Sequence, residues 1–395
     1  MTAISKPEAA GPDLAAPPQA PPERRIRLRR VTADEVYPVL GSAAGAIALV
    51  WVLYEQLLPF SGAVGFWLCC YGVFLILYAA VTAMRYGQRD VVDRLAAVIA
   101  ATAALFALAV IAEQIGYIAY RGWPAVTHSN FWTQTMEFTG QLQPLTSGGV
   151  LHGMVASLEQ LGIAALLAVP LGILAAVFLA EVGGILAHPV RIIVTAMTAL
   201  PEIVAGLFVY ATVILTLGTR QDGFAGGLAL AVMMLPIVTR ASEVMIRLVP
   251  NSLREASYAL GASQWRTVWN VVLPTARSGL TTVSVLGMAR AVGETAPLLF
   301  TTGFTSFLNA NPFHGPQTGM PLLIWDFIRI SPTTDMIERG FGAGLTLLIM
   351  VLILFTAARA LGGKAPGELT RRQRRRIARD AQIADRQHGG NSHGS

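Results

Sequence analysis

Residues 288–300, MARAVGETAPLLF, set an arginine and a glutamate four residues apart inside an apolar run. An ionisable group at the centre of a bilayer costs at least ~2.5–3.5 kcal/mol, so at that depth it faces protein or water rather than lipid. Positions i and i+4 of a helix share one face about 6 Å apart, which predicts that Arg290 and Glu294 both point inward. As a bare ion pair they would stabilise little, because desolvating two charges offsets most of their attraction. A path for an anion explains them better: the guanidinium is a planar fork of donors that matches a tetrahedral oxyanion. Gly287, Gly293 and Pro297 flank the pair and predict close helix approach and a bend.

The elements that position this pair must lie in a membrane. Of 395 residues, 54% are hydrophobic and 13% charged, with a positive mean hydropathy, which excludes a soluble globular protein. Apolar stretches about 20 residues long predict an all-α, polytopic helical membrane protein of about eight spans: 37–57, 64–84, 92–119, 151–180, 190–217, 224–247, 278–303 and 340–361. No segment shows the ten-residue alternation of an outer-membrane barrel, the other architecture that lipid admits. Cys69 and Cys70 are adjacent, point about 100° apart on a helix, and read as small apolar packing residues rather than a disulfide or a metal site.

With the N-terminus placed in the cytoplasm, alternating the spans leaves only Arg121, Arg220, Arg329 and Arg339 of the 29 basic residues in external loops. The positive-inside rule then predicts cytoplasmic N- and C-termini. Residues 1–36 open with a proline- and alanine-rich stretch too poor in apolar bulk to fold alone, and no signal peptide precedes residue 37. The tail at 362–395 contains TRRQRRRIARD. Its place next to the last span assigns it to anionic membrane lipid rather than nucleic acid. His152 and Glu159 read as hydrogen-bonded packing residues, and Arg191, Arg240 and Arg247 as cytoplasmic anchors.

The longest structured cytoplasmic segment is RLVPNSLREASYALGASQWRTVWNVVLPTARSG. It predicts two short helices with a hinge. Ser252 and Glu255 make an S-x-x-E capping box after Pro250, Gly261 supplies a left-handed C-cap, Ser263 caps the next turn, and Pro274 closes the segment. Exposed Tyr258, Leu260, Trp265 and Trp269 beside small residues suit a knob that docks in a partner's groove; an interfacial helix on the membrane is the alternative.

Glu255-Ala256-Ser257, Gly261, Val271 and Leu273-Pro274 reproduce in every spacing the EAA loop of ABC-importer permeases, with Ser257 and Val271 as mild substitutions. The chain therefore resembles that family. ARAVGETAPLL, FLAEVGG and the external NPFHGPQTGMPLLIW stretch are similar to PstA-type permease subunits of bacterial phosphate importers. The resemblance implies a type I ABC importer transmembrane domain over 91–361, with 250–274 as the loop coupled to the ATPase through Glu255, Ala256, Ser257, Gly261, Leu273 and Pro274. It makes 37–90 an accessory hairpin. It further implies a PstC-type sibling permease, two copies of a PstB-type ATPase, an external PstS-type phosphate-binding protein and a place in the bacterial inner membrane. No phosphate-binding loop is present, so ATP and magnesium belong to the partner ATPase and this chain carries no cofactor, metal or catalytic residue of its own. One departure is Glu202 in ALPEIVAGLF, where these permeases usually have serine. It joins Arg290 and Glu294 as a candidate pathway residue. The alternatives are another oxyanion, such as sulfate or molybdate, or a proton-coupled carrier or membrane-embedded enzyme using the same three residues as a relay. The EAA spacing favours the importer, since a carrier has no use for an ATPase-docking loop.

Overall fold

The computed structural model describes residues 33–57, 62–329 and 333–361. Both tails, including the basic segment after residue 361, lie outside the described residues. The chain divides into two compact units, residues 1–110 and 111–395. In the first, α1 (Ala33–Val52) extends through a π-helical turn at Leu53–Leu57 and pairs with α2 (Ala63–Ala83). Cys69 and Cys70 form no disulfide there; Cys70 is buried, and the exposed Cys69 sulfur lies 3.8 Å from the Tyr54 hydroxyl. Helix α3 (Gln88–Val126) carries the chain from the first unit into the second.

The second unit continues with α4 (Ser129–Thr133), α5 (Leu151–Val177), α6 (Ala187–Ala199), α7 (Glu202–Val209) and α8 (Gly223–Arg247). Then follow α9 (Asn251–Ala259), α10 (Gln264–Thr267), α11 (Leu273–Ala291), α12 (Leu298–Thr301), α13 (Met320–Arg329) and α14 (Thr334–Leu361). Its core forms where α5 lies along α8. Leu161, Ala164 and Ala168 meet Leu230, Met234 and Val238, and α11 adds Val283 and Ala291. Small residues make this approach possible in a setting without a hydrophobic drive between helices.

Six helices among the described residues are long and apolar enough to cross a membrane, and seven if a bent pair counts as one. The expectation of eight is corrected at two places. The run 190–217 is no straight span: α6 and α7 meet at 107°. Leu200 and Pro201 cause the bend, with ψ of 133° and 138°, because a proline lacks the amide proton and forces its predecessor out of the helical region. The run 278–303 is broken as well. Helix α11 stops at Ala291, residues 292–297 turn, and only the four-residue α12 follows.

Candidate functional site

The break after α11 is where the predicted residues meet. Arg290 lies in the last turn of α11. Glu294 lies beyond its end, its amide donating to the Ala291 carbonyl at 3.2 Å. The shared helical face expected of Arg290 and Glu294 is therefore replaced by a helix end and a turn, and their side chains are loosely apposed, Nε to Oε1 at 3.9 Å. The tight contact comes from the other bent element: Arg290 Nη2 donates to Glu202 Oε1 at 2.7 Å. Pro201 is the reason Glu202 is there, since it ends the extended link and leaves Glu202 as the first residue of α7.

Gly206, one turn further along α7, fixes the approach. A β-carbon on it would stand 2.6 Å from the Pro297 Cα, so α7 packs backbone to backbone on the segment that carries Glu294. Non-helical backbone at membrane depth is tolerated where protein or a water-filled cavity covers it. Here it borders a cleft of about 450 Å³ whose apolar wall includes Met197, Phe208, Val232 and Pro236, with Glu202 and Arg290 as its charged residues. The Arg290 and Glu202 side chains are 57% and 40% exposed, so their contact contributes about 0–1 kcal/mol to stability. Stability alone does not account for it. The guanidinium remains accessible from the cleft, which is what recognition of an anion requires.

The second site is the loop that follows α8. Gly261 has φ +79°, the left-handed conformation expected of it, and its amide donates to the Tyr258 carbonyl at 2.9 Å. Ser263 caps α10 by accepting from the Arg266 amide at 3.4 Å. Two expectations are corrected. Pro250, not Ser252, occupies the N-cap of α9 with no side-chain cap, because the proline ends one helix and the next begins directly at Asn251. Pro274 closes nothing: it sits in the first turn of α11, which α10 enters without a break through a π-helical turn at Val268–Val272. Glu255 and Ala256 are exposed, Ser257 bonds the Thr267 hydroxyl at 2.8 Å, and Leu260, Trp265 and Trp269 stand free on the surface. The knob is present.

What braces the knob is a residue that the sequence reading passes over. Arg254 donates to Glu181 at 2.7 Å and to the carbonyls of Ile246 and Val249, with the two charged side chains only 14% and 6% exposed. Gln264 donates to the Glu181 backbone carbonyl at 2.5 Å. Glu181 belongs to a π-helical turn, Phe178–Val182, that extends α5. The loop is thus fastened to the end of a core helix. Nearby, Arg191 and Arg247 both donate to Glu243 at 2.9 Å, so they are ion-pair partners of a buried carboxylate and not merely anchors. Arg240 bonds Thr195. At the other end of α5, Glu159 accepts from Gln317 at 2.5 Å, while His152 is buried with neither ring nitrogen bonded, contrary to the hydrogen-bonded role expected of it.

Gly261→Val isolates the hinge, because a β-carbon at Gly261 would meet nothing within 4 Å. The cost is purely one of backbone conformation, about 1 kcal/mol or more. We expect normal levels of protein and a several-fold fall in transport per ATP hydrolysed, measured on the reconstituted complex. Unchanged coupling would show that the hinge conformation is not used.

Two broken membrane elements meeting at an accessible arginine, joined through α11 to a braced, exposed loop, define a helical importer permease. Residues 168–364 match the model for the binding-protein-dependent transport system inner membrane component. Among curated relatives, the phosphate transport system permease protein PstA 1 of Mycobacterium tuberculosis (strain ATCC 25618 / H37Rv) is 45% identical over 239 residues, covering 60% of this chain and 77% of that one. PstA of Mycobacterium leprae (strain TN) is 38% identical over 274 residues, covering 69% and 89%. PstA of Pasteurella multocida (strain Pm70) is 37% identical over 221 residues, covering 55% and 77%. The chain belongs to the PstA family of ABC-importer permease subunits. It is a transport subunit of the inner membrane and not an enzyme, and ATP hydrolysis falls to a separate subunit.

Proposed function

We propose that this chain forms half of the path by which inorganic phosphate is imported. The observation that carries the reading is the Arg290 guanidinium held between Glu202 and Glu294 at the meeting point of two broken helices. An arriving oxyanion competes with Glu202 for the planar fork of donors. Two carboxyl groups compete with the anion for the one arginine, which shortens the anion's stay. Weak, transient holding is what passage demands, whereas a tight site would trap the cargo.

The remaining half of the path comes from a PstC-type sibling. Two copies of a PstB-type ATPase carry ATP and magnesium and receive the loop of Glu255, Ala256, Ser257, Gly261, Leu273 and Pro274, and an external PstS-type protein delivers phosphate. Both termini are cytoplasmic, residues 91–361 are the permease domain, and 37–90 are an accessory hairpin. The bracing of the loop by Arg254 and Glu181 supports this reading over a proton-coupled carrier.

Uptake of radiolabelled phosphate by proteoliposomes holding the four kinds of subunit tests the proposal. ATP-dependent uptake competed by phosphate and not by sulfate or molybdate is expected, and a chain lacking residues 1–85 should support it too. Competition by sulfate would overturn the assignment of the anion, and uptake without ATP would favour the carrier. Loss of the complex on truncation would place the hairpin in the permease itself.

A further inference from the structure

A second arginine, far along the chain from the path, has no carboxylate partner among the described residues. Arg121, near the end of α3, has a buried Nε with no hydrogen bond. It borders a cleft of about 480 Å³ whose other residues are Ala119, Tyr120, Trp123, Pro124 and Glu338. Among the described residues, Glu338 has no hydrogen bond or ion pair either, and the two opposite charges that share the cleft do not pair with each other. An arginine and a glutamate left apart in one cleft are unusual unless something fits between them. Buried donors in folded proteins are bonded in the great majority of cases.

The level of the cleft is set by its neighbours. Glu338 stands three residues before Phe341, where the apolar run of α14 begins. The Phe341 ring receives the Tyr117 ring edge-on at 5.5 Å and lies 5.9 Å beneath the Arg121 guanidinium. Tyr120 and Trp123, 77% and 63% exposed, have the amphipathic rings that gather at the headgroup level of a bilayer. The charged pair therefore sits where hydrocarbon gives way to phosphate.

We propose that this cleft binds the headgroup of a zwitterionic phospholipid with a free ammonium, of the phosphatidylethanolamine type. Its phosphodiester takes the donors of Arg121, its ammonium takes Glu338, and its acyl chains descend along the apolar surface below Phe341. A purely anionic headgroup would satisfy the arginine and be repelled by the glutamate. A headgroup with a quaternary amine could approach Glu338 but not donate to it.

The test uses the full-length chain purified with its partner subunits from nanodiscs of equal phosphatidylethanolamine and phosphatidylglycerol, with retained lipid counted by native mass spectrometry after dilution into detergent. The wild-type complex should retain phosphatidylethanolamine about fivefold over phosphatidylglycerol, the scale of one charge contact at a membrane surface. Arg121→Gln should lower both lipids by a similar factor, and Arg121→Lys should keep most of the retention. Glu338→Gln, an exterior change that spares the fold, should abolish the preference while keeping phosphatidylglycerol bound. Equal retention by wild type and both charge-removing variants, or a wild-type preference for phosphatidylglycerol, would overturn the proposal. So would displacement of the lipid by inorganic phosphate, which would make the cleft a site for the free anion. A photocrosslinker at Tyr120 that captures the sibling subunit instead of lipid would assign the cleft to a protein contact and equally overturn it.

Discussion

Arg290→Gln should reduce phosphate uptake on the order of a hundredfold, the size of effect seen when one charge-stabilising donor is removed from a site, while the complex still assembles. The arginine is 57% exposed and its contact with Glu202 holds little folding energy, so glutamine costs the structure almost nothing. What it removes is the planar fork of charge-assisted donors at the meeting point of α7 and α11. Arg290→Lys should recover only a small part of the activity, because an ammonium on a flexible stem is a point charge without the fork. Glu202→Gln divides the mechanism further. If the carboxylate limits how long the anion stays, neutralising it should tighten binding and slow passage, lowering both the half-saturating concentration and the maximal rate. Radiolabelled uptake and a pull-down of the ATPase from the same membranes measure these effects together. Wild-type uptake in Arg290→Gln would remove the residue from the path, and joint loss of uptake and complex would make the triad a structural contact.

The three residues proposed for the path were legible because charge in an apolar run is costly and therefore conspicuous. Their geometry was not. Hydrophobicity reports how long a run is, and says little about where within it the helix stops, so 190–217 and 278–303 read as spans although each is broken. Pro201 carried the signal for the first break; the second arises at Gly293 and its neighbours, where the turn is set by packing of α7 against Pro297. Glu202 and Arg290 are 88 residues apart in the chain, and no local periodicity joins them. The loop after α8 shows the same division. Gly261 and Ser263 act within a few residues of themselves and were readable, whereas the S-x-x-E pattern misled because Pro250 takes the N-cap and the helix has already begun at Asn251. Glu181 was hidden for the reason Glu202's role was: its partner comes from a distant segment.

That distant contact leads to the other large expected effect. Glu181→Ala should uncouple the transporter, leaving ATP hydrolysis but little uptake, or release the ATPase altogether. Arg254 and Glu181 are nearly covered, 14% and 6% exposed, and removing one partner of such a pair strands the other's charge, at about 3–5 kcal/mol. Most of that penalty falls on the local structure, because Arg254 also holds the carbonyls of Ile246 and Val249 at the end of α8. Freed of Glu181, the guanidinium must turn to water, and α9 loses its fastening to the end of α5. A movement imposed on the exposed face of α9 would then be absorbed by the loop and not passed to α5 and, through α11, to Arg290. The conservative pair separates this from simple misfolding. Glu181→Gln keeps a hydrogen-bond acceptor for Arg254 and should retain partial coupling, and the exchange Glu181→Arg with Arg254→Glu should recover more than either single change. The readout is the number of anions moved per ATP in proteoliposomes, with thermal unfolding of the same preparations as the control. A drop in melting temperature with coupling unchanged would leave the ion pair as a stabilising contact only; loss of coupling in a complex that remains folded and assembled at the assay temperature would make it the link between the loop and the path.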